Sequence, residues 1–348
     1  MRASALVLTI TVIGACGHAA VTAPPVAAGE VVATMPDGST ARLTVRGDRI
    51  IEVAPAAGAT ARGFVSPPVI DSHVHLAFWS VADKLVATGI EGVVDLAAPE
   101  RELPALAAAP VHVVAAGPML TRDGGYPLDA WGADGYGAGC HDAACVTATV
   151  DRLASKGVRV IKLALDDDGL AAALVPVAVA AAHAHGLKVA AHALSDASAR
   201  VAGLAGVDVL AHTPVEPLAD DTVAAWRGKA VISTLAAFGG SADAVANLRK
   251  LRAAGCTVLY GTDMGNARVA GPNPDEIALM ARAGMDAAAI ADAMTSVPAR
   301  FWGFDFGIAA GKEATFVVLA RDPRTDPAAY VEPSAVYVRG QRVGGAGG

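Results

Sequence analysis

Three short stretches near the start of the chain alternate apolar and polar residues with the period of two that marks a half-buried strand: EVVATM (30–35), ARLTVR (41–46) and RIIEVA (49–54). Pro36-Asp37-Gly38 and Gly47-Asp48 separate them, and both suit tight hairpin turns. After Pro67-Pro68 the rhythm changes to apolar runs alternating with helical stretches. The runs are VIDSHVHL (69–76), IEGVVDLA (90–97), VHVVAAG (111–117), VRVIKLAL (158–165), LKVAAHA (187–193), VDVLAHT (207–213), AVISTLAAF (230–238) and CTVLYGTD (256–263). Alanine-rich helical segments lie between them, such as GLAAALVPVAVAAAHAHG and SADAVANLRKLRAAG. Repeated strand–helix units imply a parallel sheet, and eight of them imply a closed barrel. The predicted fold class is therefore α/β, a (β/α)8 TIM barrel over residues 67–305. An open doubly wound sheet would want a Gly-rich phosphate loop after the first strand, where this chain has HVHLAFW.

After Phe301 the tail returns to strand character in ATFVVLA (314–320) and AVYVRGQRV (335–343). The two chain ends, residues 30–66 and 306–348, are expected to pair into one small β-sandwich-like domain. The segment 119–145, between the third and fourth barrel strands, is rich in glycine and aromatic residues. It leaves the catalytic end of a barrel strand, which makes it a candidate substrate loop or lid.

A length of 348 residues accommodates one barrel of about 250 residues plus a smaller domain. The composition, 53% hydrophobic and 18% charged, suits a large folded core and argues against disorder. A net charge of −7 without a basic run leaves no electrostatic footprint for nucleic acid.

The first residues have the form of an export signal. Met1-Arg2 is a minimal positive start, and residues 3–13 form an apolar stretch too short to span a bilayer as a helix. It closes on Ile13-Gly14-Ala15-Cys16, which resembles the lipobox of bacterial lipoproteins, where the cysteine is lipidated and becomes the mature N-terminus. The alternative is a secretory signal cut near Ala19-Ala20. Residues 1–16 are thus expected to be a lipoprotein-type signal peptide and residues 17–29 a tether. The expected place is the bacterial cell envelope, with membrane contact only through the lipid on Cys16; a soluble periplasmic or secreted form is the alternative. In an oxidising compartment Cys140 and Cys145 could form a disulfide within GYGAGCHDAAC. Cys256, beside a barrel strand, is expected to be a buried small hydrophobe.

The candidate chemistry lies at strand ends. His73 and His75 are spaced i, i+2 on a strand and so share a face, with Asp71 expected beside them. Two histidines there can hold one metal ion. Two hydrogen-bonded core histidines are the bland alternative. Lys162 closes an apolar run with Val160 and Ala164 as its same-face companions. An isolated buried ammonium is costly, so it must find a partner, lose its proton or be chemically modified. His192, His212 and Asp263 end strands five, six and eight. Imidazole and carboxylate are suitable ligands for zinc and similar divalent ions. Ligand-type residues from five strands at one barrel end point to a metal site. HAHG (183–186) has the same spacing as His73 and His75 but closes a helix, where i and i+2 do not face one another.

In IDSHVHL, the lysine of VIKL, the histidines of AAHA and LAHT, and GTD, the chain resembles the amidohydrolase superfamily, in particular its imidazolonepropionase-like and prolidase-like branch. The tail GIAAGKEATFVVLARDP followed by VYVRGQRV is similar to that family's usual ending. The resemblance implies two divalent metal ions, zinc foremost. His73, His75 and Asp263 would bind one and His192 and His212 the other, with a CO2-derived carbamate on Lys162 bridging them. It implies hydrolysis of C–N bonds in a small amide, cyclic amide or dipeptide by a metal-bridging hydroxide, with Asp263 as the catalytic proton carrier. The same site could serve a lactone or phosphoester. From another class, the chain could be an inactive metal-binding surface lipoprotein. Tyr126 stands where related sequences often carry a histidine. It is expected either to contact substrate or to pack the loop. Arg122 and Arg268 are further candidate anchors for a substrate carboxylate.

Overall fold

The computed structural model describes residues 26–27, 29–166 and 168–346. Its barrel strands are Val69–Val74, Ile90–Asp95, His112–Ala115, Val160–Ala164, Lys188–His192, Val209–Leu210, Ala230–Ile232 and Thr257–Leu259. Each falls inside one of the eight predicted apolar runs. Strands one to three pair in parallel, and so do strands four to eight. Two junctions complete the ring. The third strand continues, after a break at Ala116–Pro118, into Met119–Thr121, which pairs with the fourth strand through Leu120 and Leu163. The eighth returns to the first, with the Ser72 N–H on Tyr260 O at 2.9 Å and the His75 N–H on Met264 O at 2.6 Å.

Small and branched side chains from alternating positions fill the barrel: Val94, Val114, Val160, Ala190, Val209 and Ile232 sit together with Trp302. The Trp302 indole N–H donates to Ser72 Oγ at 3.1 Å. Helices cover the outside. Several begin on a side chain that accepts an otherwise unpaired backbone N–H, among them Asp142, Ser195, Ser241 and Asn273. Each such cap is worth about 1 kcal/mol. Among the described residues no helix is long and apolar enough to cross a membrane.

The chain ends join in a single eight-stranded sheet. The predicted N-terminal strands form an antiparallel meander, Glu30–Thr34, Thr40–Arg46 and Arg49–Pro55. Phe64–Ser66, which the apolar pattern leaves unmarked, connects it to Phe316–Leu319. The far edge bonds back to the segment before Phe316, with the Ile50 N–H on Lys312 O at 3.0 Å and the Ala314 N–H on Asp48 O at 2.7 Å. The sheet thereby turns round a core of its own that includes Leu43, Ile50, Val65 and Phe316.

Two sequence expectations change. AVYVRGQRV, given strand character throughout, is a hairpin of Ala335–Val338 and Gln341–Gly344. Arg339 and Gly340 both take positive φ (47° and 79°), the geometry of a tight turn with the strands' own twist. Val26–Ala27, placed in the tether, adds to that hairpin as an edge strand. Cys16 and the rest of the expected signal lie outside the described residues.

Candidate active site

The ligand-type residues converge where their strands end. His73, on the first strand, lies with its Nε2 3.3 Å from that of His75. Asp263, four residues beyond the end of the eighth strand, places Oδ1 3.0 Å from His75 Nε2 and 3.5 Å from His73 Nε2. His212 packs against His73 with ring centres 4.4 Å apart, and His192 against His212 at 4.9 Å. All of these, with Lys162, line one hollow of about 280 Å³. Gly261 makes the approach feasible, because a Cβ there would lie 2.3 Å from Ile232 Cγ2 and 3.1 Å from the His73 backbone nitrogen.

Burial sets the charges. It pushes the His192 imidazole down to about 4, helped by Lys162, and holds His73 and His212 well below the ordinary histidine value. Neutral imidazole is the form that donates a lone pair to a metal. Burial also takes the Lys162 amine down to about 7, against the attraction of Asp263. At Asp263 burial works against ionisation, but His73, His75 and Lys162 outweigh it and hold the carboxyl at about 2.

This donor set fits a divalent ion. The Nδ1 of His73 donates to the Ala211 carbonyl at 2.8 Å, so its Nε2 carries the lone pair that faces His75. Two ligands held ~2.0–2.1 Å from one tetrahedral zinc stand roughly 3.3 Å apart, which matches the His73–His75 spacing. The donor atoms of His73, His75 and Asp263 all lie within 4.8 Å of one another. His212 is oriented by a contact of 3.0 Å between its Nδ1 and Thr234 Oγ1.

The profile of the amidohydrolase family matches residues 64–343, most of the chain and all of this site. The chain belongs to the amidohydrolase family. An uncharacterised protein of Mycobacterium tuberculosis is 28% identical over an alignment covering 89% of this chain and 94% of that one. A solved Xaa-Pro dipeptidase with methionine bound in its active site shares the fold with a TM-score of 0.77 at 17% identity, over 90% of this chain and 99% of that one. The ochratoxinase of A. niger is similar in fold at a TM-score of 0.72 and 19% identity, over 92% and 97%.

In this amidohydrolase the six expected ligands meet in one place, and Tyr126 joins them with its ring 4.9 Å from that of His192. The structure does not bring Arg122 or Arg268 into the hollow. Arg122 is paired with Asp168 at 2.6 Å, and Arg268 lies over the rings of Phe78 and Trp79 at 5.4 and 5.2 Å. Asp71 does not line the hollow either. The strand's register shifts between Asp71 and Val74, and the Asp71 carboxylate accepts the backbone N–H groups of His73 and Thr262 at 3.1 and 3.0 Å and the Thr262 hydroxyl at 2.5 Å. Cys140 and Cys145 face each other in disulfide geometry, with Cα atoms 5.5 Å apart, where the 119–145 segment meets its helix. Cys256 is free and buried.

Among the cavity residues that the sequence does not mark as site candidates, three contact the ligand cluster. Trp131 packs on His75 at 5.2 Å and Phe238 on His212 at 4.9 Å. Asn266 Nδ2 donates to both Asp263 carboxylate oxygens, at 3.2 and 3.3 Å. The aromatic content of the 119–145 segment was the signal for Trp131. Asn266 sits in an irregular turn for which no periodicity exists to read.

Proposed function

We propose that this amidohydrolase hydrolyses C–N bonds of small amides, cyclic amides or dipeptides, with two divalent metal ions, zinc foremost, and a carbamate on Lys162. The observation that carries the reading is the meeting of four imidazoles, a lysine amine and one carboxylate, drawn from five strands and their ends, in one hollow. His73, His75 and Asp263 would hold one ion, His192 and His212 the other, and the Lys162 carbamate would join them. When bound, such ions polarise the scissile carbonyl and acidify water.

The residues supply the rest. Asp263 is fixed by its turn, since its carbonyl accepts the N–H groups of Asn266 and Ala267 at 3.1 and 2.8 Å. Asn266 keeps the carboxylate aimed into the hollow. From there Asp263 accepts a proton as water attacks and passes it to the leaving nitrogen, the office of a general acid–base group. Trp131, Tyr126 and Phe238 exclude bulk water, which strengthens every electrostatic contact inside.

The test uses Asp263→Asn beside the wild type. The wild type should carry close to two divalent ions per chain and lose activity to a chelator. The variant keeps the shape but cannot accept a proton. Its turnover should fall roughly 10²–10⁴-fold while metal content and melting temperature largely persist. A panel of N-acyl amino acids, Xaa-Pro dipeptides, lactones and phosphotriesters identifies the bond broken. Wild-type protein free of metal, or turnover of the variant within a few-fold of wild type, would sink the reading.

A further inference from the structure

Each of three site histidines carries an aromatic neighbour: Trp131 at 5.2 Å from His75, Tyr126 at 4.9 Å from His192, and Phe238 at 4.9 Å from His212. This wall is built in advance of any ligand. The Trp131 indole N–H donates to the Tyr126 hydroxyl at 3.1 Å, and its ring packs on Phe78 and Tyr136 at 5.2 and 5.4 Å. Met119 and Ala237 complete the apolar lining.

Among the described residues, no arginine lines the hollow. Arg122 is committed to Asp168, and Arg268 is stacked outside on Phe78 and Trp79. The two-pronged hydrogen bonding by which a guanidinium holds a carboxylate is therefore missing. Asp263 and Lys162 both belong to the ligand cluster and offer no free partner to a substrate carboxylate. A substrate carboxylate seated against the aromatic wall, away from the ligand cluster, would lose several kcal/mol of hydration without a partner. A volume of about 280 Å³ is at the small end for ligand pockets, with space for one ring and its amide.

From this geometry we infer that the substrate group seated between Trp131 and Phe238 is an uncharged aromatic ring, as in an aryl amide or anilide with no free carboxylate beside the scissile bond. The inference rests on the hydrolase reading above and narrows it.

Binding and turnover test the two separately. On the metal-loaded protein, calorimetry compares benzohydroxamate with the monohydroxamate of succinic acid, which shares the metal-binding head but ends in a carboxylate. Benzohydroxamate should bind at least tenfold tighter. That preference should shrink to within threefold in Trp131→Ala and in Phe238→Ala and survive in Trp131→Phe. Thermal melts establish that the variants fold, and either alanine variant that melts like the wild type suffices. Equal or tighter binding of the carboxylate compound, no binding of benzohydroxamate, or a preference untouched by the alanine variants would overturn the assignment. In parallel, kcat/KM is measured for acetanilide-type amides and for N-acyl amino acids. Selective benzohydroxamate binding without cleavage of any amide leaves the pocket assignment standing and removes the hydrolase reading. Tenfold faster cleavage of the carboxylate-bearing amides does the reverse.

Discussion

Lys162 is 1% exposed, and burial pushes its amine down to about 7, so near neutral pH much of it is uncharged. An uncharged amine is the form that can add carbon dioxide, and the carbamate turns a costly buried cation into a bridging anion. Lys162→Ala is expected to lose at least one metal ion per chain and most turnover, with partial recovery in bicarbonate or formate. Elemental analysis that finds both ions retained would exclude the bridge. Glu91 is a buried charge of another kind. It is fully buried on the second barrel strand, and neither carboxylate oxygen has a hydrogen-bond partner among the described residues. Burial pushes its carboxyl up from 4.5 to about 9, against the pull of Arg339. The folded chain thus keeps a proton that the unfolded chain releases. This group's share of stability is highest below about pH 4.5 and is lost as pH rises toward about 9. Glu91→Gln keeps the neutral shape, so its melting temperature should exceed the wild type's at pH 8, with the gap closing by pH 5. Parallel melting curves across that range would show that Glu91 is ionised in the fold.

Among the elements, the approach of the eighth strand to its neighbours decides whether the ligands meet. Gly261 is the contact point, and a methyl group there would press on Ile232 and on the His73 backbone. Overpacking of this kind typically costs about 1–3 kcal/mol. Gly261→Ala should therefore lower the melting temperature and also reduce metal content, because it shifts His73 and Asp263 relative to each other. Full metal occupancy in a destabilised variant would show that the ligands tolerate the shift. The same scale explains which elements were readable. The eight barrel strands announce themselves as apolar runs between helical segments. Phe64–Ser66 is three residues long and owes its existence to pairing with Phe316–Leu319. The Arg339-Gly340 turn is set by backbone dihedrals that hydrophobic patterning does not encode.

Over the whole molecule, the barrel holds the site and the paired chain ends build a separate core beside it. Export remains a proposal drawn from the first residues, and the facing pair of Cys140 and Cys145 suits an oxidising compartment. If Cys16 is lipidated, wild-type protein should fractionate with membranes, and Cys16→Ser should yield soluble protein or uncleaved precursor. A soluble wild type whose intact mass lacks lipid would favour the simple secretory alternative.

The amino-acid sequence by itself determined the eight-strand rhythm, the pairing of the chain ends and the identity of the metal-ligand candidates. Those features are periodic or carried by residue type, and a His-x-His pair on a strand shows its chemistry without coordinates. Only the tertiary structure decided which side chains share the hollow. It withdrew Arg122 to Asp168, Arg268 to an aromatic rim and Asp71 to Thr262, and it brought in Trp131, Phe238 and Asn266. The physical reason is that these residues lie mostly on loops and at a register shift. There, direction follows from packing between segments far apart in the chain, and local periodicity carries no record of it.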